Sequence, residues 1–140
     1  MELMVTIAVL GVIAGLAVPT YQRTVAQSRG NEALINLNII DMAERVYFMN
    51  NANQYLGDGA VHTIGEANLP ANLNTDMTSQ FYNQVVITAN NGAIPPNYVA
   101  TITCTQGCSG TPKSFTFTYP GTNAADIAAN VPTRTEGGTY

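Results

Sequence analysis

Apolar residues crowd the N-terminal end of the chain. From Leu3 to Val18 it reads LMVTIAVLGVIAGLAV, without a charge and with Thr6 as the one hydroxyl. Such a run is apolar on every side of a helix. Crossing a bilayer takes about 20 such residues, with a range of about 17–25, and this run sits just under that limit. A secretory signal would place positive charge ahead of the apolar stretch, whereas Glu2 stands there. A core helix that is apolar all round needs a large protein to wrap it. The pattern therefore predicts a membrane-inserted helix, opened by Glu2 and kinked near Pro19, where a backbone N–H is missing.

Helical patterning resumes after Pro19. Ile35, Ile39, Met42, Val46 and Met49 recur at spacings of 4, 3, 4 and 3, one stripe of an amphipathic helix. Ala33, Leu34 and Leu37 widen it, and Asn31, Glu32, Asn38, Asp41 and Arg45 fill much of the remainder. Asp41 and Arg45 stand at i,i+4, which adds a few tenths of a kcal/mol. The Asn-rich run at 50–53 is the predicted stop. A helix from about residue 3 to 50 would be about 70 Å long at ~1.5 Å per residue, more than a compact domain needs.

The rest of the chain predicts a β-rich head. Residues 51–80, rich in Asn, Gly and Ala, read as a connecting loop with room for one short helix or strand. Three segments then alternate or carry β-branched and aromatic residues: Gln84–Ala89, Tyr98–Thr103 and Ser114–Tyr119. Asn, Gly and Pro clusters separate them. The expected arrangement is an antiparallel meander over 81–119 laid on the helix stripe, with Val86, Tyr98 or Val99, and Phe115 or Phe117 facing Ile39, Met42 and Val46. Residues 120–140 read as a surface tail, with a last strand near Val131–Thr135. The fold class is thus α+β. Residues 1–24 form the apolar helix, and 25–140 form a head comprising helix 25–50, loop, meander and tail.

Composition narrows the function. The chain has 140 residues and a net charge of −4, and only 10% of residues are charged, against roughly 25% in an average soluble protein. Five Lys and Arg residues supply no basic face for phosphates, so no nucleic-acid partner is expected. No nucleotide-binding loop, nucleophile elbow or zinc-protease motif occurs. One His and two Cys leave little for a metal site or a nucleophile–base pair. His62 is read as a solvated loop residue without an accompanying carboxylate. We expect no enzyme, no cofactor and no metal; Asp126 and Glu136 are too scattered for a calcium site.

The segment from Glu2 through Pro19 to Thr20-Tyr21 resembles the N-terminus of bacterial type IV pilins and type II secretion pseudopilins. In that family a Glu opens an apolar helix, and a Pro, a small residue and an aromatic follow at this spacing. The resemblance covers about twenty residues and is specific in order and spacing. Family members carry a basic leader ending in Gly ahead of the Glu, where this sequence has only Met1. Processing by a prepilin peptidase and N-methylation are therefore implied by the resemblance alone.

The resemblance implies a structural subunit of a type IV pilus serving adhesion, motility or uptake. Copies held in the inner membrane would pass, through the assembly machinery, into an extracellular homo-oligomeric filament. Alternatives are a type II secretion pseudopilin and a membrane-tethered periplasmic binding module. The implied assembly residues are Glu2, as partner of a neighbouring amine, and Gly11, Gly15 and Pro19, where the helix would approach its neighbours or loosen. Gly11 and Gly15 also carry the four-residue spacing of small residues at membrane helix contacts. An exported head would sit in an oxidising compartment, which favours a disulfide between Cys104 and Cys108. Closing so small a loop would contribute about 2 kcal/mol or less.

Overall fold

The computed structural model describes residues 2–65, 73, 75, 77–105, 114–121 and 132–137. One helix, α1, runs from Glu2 to Asn50. It passes through Pro19 without interruption. Pro19 has no N–H to offer the Gly15 carbonyl one turn back, and the hydroxyl of Thr20 donates to the neighbouring Leu16 carbonyl at 3.1 Å. The helix stops where its Asn-rich run begins. The Asn51 side chain donates to the Tyr47 carbonyl at 2.9 Å. Ala52 and Asn53 take left-handed backbone angles (φ 52° and 60°), and the Asn53 N–H donates to the Phe48 carbonyl at 3.2 Å, closing the last turn.

Five antiparallel strands follow: β1 (Val61–Thr63), β2 (Tyr82–Asn90), β3 (Asn97–Cys104), β4 (Ser114–Tyr119) and β5 (Thr133–Gly137). They pair in chain order, which is the meander expected, extended by a short strand at each end. The last strand begins two residues later than its sequence signal suggested. Alternation on β3 and β4 is strict. Tyr98, Ala100, Ile102 and Cys104 turn inward with Phe115, Phe117 and Tyr119, so both Phe residues belong to one face. Thr101 and Thr116 sit opposite each other on the outer face, their hydroxyls 3.3 Å apart.

Two sequence expectations about facing fail. On β2 the inward residues are Val85 and Ile87, whereas Val86 points out. Gln84 and Thr88 share the Val86 side of the strand, and a register shift between Tyr82 and Gln84 lets Tyr82 face inward too. On α1 the sheet does not lie on the Ile35–Met49 stripe. The residues packed beneath it are Ala33, Asn36, Leu37, Ile40 and Glu44, again at helical spacing. Ile39 is half-buried at the margin, while Ile35, Met42, Val46 and Met49 are exposed. The buried face was masked because two of its positions, Asn36 and Glu44, are polar.

Close approach fixes the helix on the sheet. A side chain at Gly30 would stand 3.3 Å from the tip of the Phe115 ring, so glycine lets β4 pack near the helix. Beyond the helix, the chain from Tyr55 crosses the edge of β2. A Cβ at Gly57 would come within 2.5 Å of the Ala89 nitrogen, and the Gly59 N–H donates to the Ile87 carbonyl at 3.0 Å. Asn91 holds the same segment, with its side chain accepting from the Tyr55 N–H at 2.8 Å and donating to the Tyr55 carbonyl at 3.0 Å.

The two helix faces should separate in a stability measurement. Leu37→Ala should cost about 2–5 kcal/mol, as for a buried Leu. Met42→Ala should stay within about 0.5 kcal/mol, as for a surface position. Denaturant unfolding of the full chain in mild detergent, followed by near-UV circular dichroism, checks the order; the reverse order would return the stripe to the core.

Candidate functional site

The feature that stands out chemically is the surface of α1 that the head leaves open. Along the first half the helix is bare on all sides: Leu3, Met4, Leu10 and Leu16 are exposed, Leu16 at 71%. The helix is long and apolar enough to cross a membrane. In the second half the bare surface narrows to the stripe of Ile35, Met42, Val46 and Met49, with Met42 at 66% and Met49 at 72% exposed. Burying one such side chain fully is worth about 1.5–3 kcal/mol. An apolar surface of this extent marks contact with lipid or protein.

The sequence-predicted assembly residues lie in the first half of α1. Glu2 is the first residue of α1, and the structure describes nothing of its side chain. Beyond their own stretch of helix, Gly11 and Gly15 have no atom of the described residues within 4 Å of where a Cβ would stand, so no described contact requires glycine there. Pro19 lies inside the helix, with no intrahelical bond from its nitrogen to the Gly15 carbonyl. Cys104 ends β3, buried and disulfide-bonded. Cys108 lies outside the described residues, as does Asp126.

The opposite face of α1 carries a polar joint that sequence reasoning found only in part. Asp41 and Arg45 pair as their spacing suggests, with the guanidinium Nε 3.0 Å from the carboxylate. The same carboxylate accepts a 2.6 Å hydrogen bond from the buried Tyr98 hydroxyl, and Arg45 lies over the Tyr119 ring, 4.5 Å from its centroid. Burial first, then the bond to Asp41, pushes the Tyr98 phenol well above its ordinary range. Tyr55 stacks on Phe48 at 4.4 Å and against Tyr98 at 4.9 Å; burial, more than its charged neighbours, raises it to about 12.

Glu44 sits within this joint, fully buried. One carboxyl oxygen accepts the Leu56 N–H at 2.9 Å, and the other has no hydrogen-bond partner among the described residues. Burial pushes the carboxyl up to about 7, against the lowering effect of the Leu56 bond and with a smaller push from Asp41. A second acid, Glu32, faces the head and accepts from the Ser79 hydroxyl and from the Gln80 N–H at 2.6 Å. These acids tie helix to loop. Among the described residues no group of His, Cys, Asp and Glu is placed to hold a metal ion.

His62 differs from its sequence reading. It lies in β1, half-buried, with Nε2 3.1 Å from both carboxylate oxygens of Asp58. The Asp58 carboxyl is held below its usual range, first by the Ala60 N–H and then by His62. The four-residue spacing of the two was the available signal. No family model matches the chain, and no solved structure matches it.

Glu44 gives a prediction of defined sign. An acid raised from its ordinary 4.5 to about 7 by folding binds its proton more tightly in the folded state. Its favourable contribution is complete below about pH 4.5, declines as pH rises toward about 7, and is gone above that. Glu44→Gln should remove this decline and leave the variant more stable than the parent at pH 8. Denaturant midpoints of both chains from pH 4.5 to 8 check it; parallel curves would show that Glu44 does not titrate in this window.

Proposed function

We propose that this chain is a structural subunit of a type IV pilus, held by α1 in the inner membrane and assembled by helix packing into an extracellular filament. The observation that carries this reading is the uncovered helix: apolar all round from Leu3 to Val18 and apolar on one face from Ile35 to Met49. A membrane can cover the first half of that surface in the single chain. Neighbouring helices can cover both halves once copies assemble. The order of residues from Glu2 to Tyr21 supports the same reading through its resemblance to pilins.

In this account Glu2 meets the N-terminal amine of an adjacent copy, a contact favourable in an apolar surround only if the charge is paired. Gly11 and Gly15 permit close approach. The weak helical step at Gly15–Pro19 lets the segment loosen when copies pack. Each copy presents one surface to a different surface of the next, and a contact that does not close on itself extends into a fibre. A type II secretion pseudopilin shares the N-terminal segment and the same packing logic. A tethered binding module explains the apolar run but leaves the second-half stripe without a role.

Negative-stain electron microscopy of sheared surface material, with mass spectrometry of its subunits, tests the proposal. The expected result is this chain in thin filaments; recovery only as a membrane-bound monomer would leave a tethered domain. Glu2→Gln should insert into the membrane as the parent does and yield few or no filaments, read by fractionation and microscopy together. Filaments at parental abundance from this variant would remove Glu2 from the assembly contact.

A further inference from the structure

The exposed stripe has a period of its own. With Ile39 and Val46 at heptad position a, and Ile35, Met42 and Met49 at d, it follows the 3.5-residue repeat of a two-helix seam. The head occupies the other side: Ala33 and Ile40 fall at b, and Leu37 and Glu44 at f. A coiled coil ordinarily leaves those positions to water. Here they are filled by the chain's own head, while Ile35, Met42, Val46 and Met49 are left open and Ile39 is half-buried at the margin. We infer that two copies of this chain pair through this seam, parallel and in register, as a membrane-confined homodimer with the heads outboard. The inference rests on the membrane placement of the first half of α1 proposed above.

Four observations favour a second copy over other occupants. First, β-branched residues at a with longer, unbranched Met at two of three d positions suit two parallel strands. Second, the flanking positions carry no like-charge conflict: Arg45 at g would face Asn50 of the other copy, and Asn38 would face Ala43. Third, a lipid surface is poorly matched. Helices that lie on membranes carry Lys and Arg beside the apolar face, and from Gly30 to Asn50 the one cation is Arg45, already bound to Asp41. Fourth, the apolar half of α1 and the stripe belong to one uninterrupted helix, so two chains anchored in one membrane bring their stripes together pointing the same way.

The seam is short. The next a position is Glu32, whose carboxylate is turned to the head loop at Gln80, and this ends the repeat. Two heptads are too few for a stable pair in free solution. Confinement of both chains to one membrane supplies the effective concentration that the seam lacks. An in-register pair places each residue opposite its own copy, whereas filament neighbours displaced along an axis place it opposite a different one. The two arrangements can therefore be told apart by which positions meet.

Single-cysteine variants of the full chain, Met42→Cys and Val46→Cys, would be treated with a short bismaleimide in membranes before any filament assembly. The unsubstituted chain is the blank for the native cysteines, and Thr88→Cys, exposed on β2, is the background. Linking of 42 to 42 and of 46 to 46 should exceed that background by at least about fivefold. Adding Met42→Lys to Val46→Cys should return linking to background. Links only between unlike positions in mixed variants would overturn the dimer and leave the filament reading intact. Absence of links in a strain that still makes filaments would do the same, as would linking that survives Met42→Lys. Linking of 42 to 42 in a strain that never makes filaments would uphold the dimer and count against the filament alone.

Discussion

A single helix has to satisfy two apolar faces, and only one of them can be covered by its own chain. Ala33, Leu37 and Ile40 go under the sheet, against Tyr82, Val85, Ile87, Tyr98, Phe115 and Phe117. Ile35, Met42, Val46 and Met49 remain outside, in line with an N-terminal half that has no protein around it at all. Hydrophobic burial is roughly proportional to the apolar area removed from water, so the folded monomer still carries a large unmet driving force for association. The proposed assembly is the consequence of that excess.

The polar groups at the joint set which face wins. Glu32 holds the segment before β2 through Gln80, Glu44 holds Leu56, and Asp41 bridges Arg45 and Tyr98. The bonds from Gln80, Leu56 and Tyr98 fix the rotation of α1 relative to the head. A turn of the helix that buried Met42 instead would take Glu32 off Gln80, Glu44 off Leu56 and Asp41 off Tyr98. Buried polar groups cost little when satisfied and a great deal when orphaned, so this set specifies one packing even though the alternative face is the more apolar. Glu44 shows the cost: its second oxygen has no partner among the described residues, and burial makes the group retain its proton to higher pH.

Much of the architecture was legible in the sequence. The uninterrupted apolar run gave the first half of α1, the 4-3-4-3 spacing gave the second, and β-branched and aromatic alternation gave β2, β3 and β4. The short strands β1 and β5 carried weak signals because each is made of polar or exposed residues. The facing of α1 was not legible. Apolarity alone favours the Ile35–Met49 stripe, and nothing local says that Glu44 and Asn36 will find partners on Leu56 and on the Thr78 carbonyl. Those donors and acceptors lie far off in sequence. The stripe misread as core became the best candidate for an interface, because a pattern strong enough to predict burial still requires something to bury it.

Methionine oxidation offers the most direct test of that requirement. Met42 and Met49 are exposed in the single chain, and Met77 is buried at 2%. Hydrogen peroxide footprinting would compare the detergent-dispersed chain with native assembled material, read peptide by peptide in a mass spectrometer. The account predicts that Met42 and Met49 oxidise readily when dispersed and are protected when assembled, with Met77 protected in both. Equal oxidation of Met42 and Met49 in the two states would contradict it, because the outer face of α1 would then have no partner.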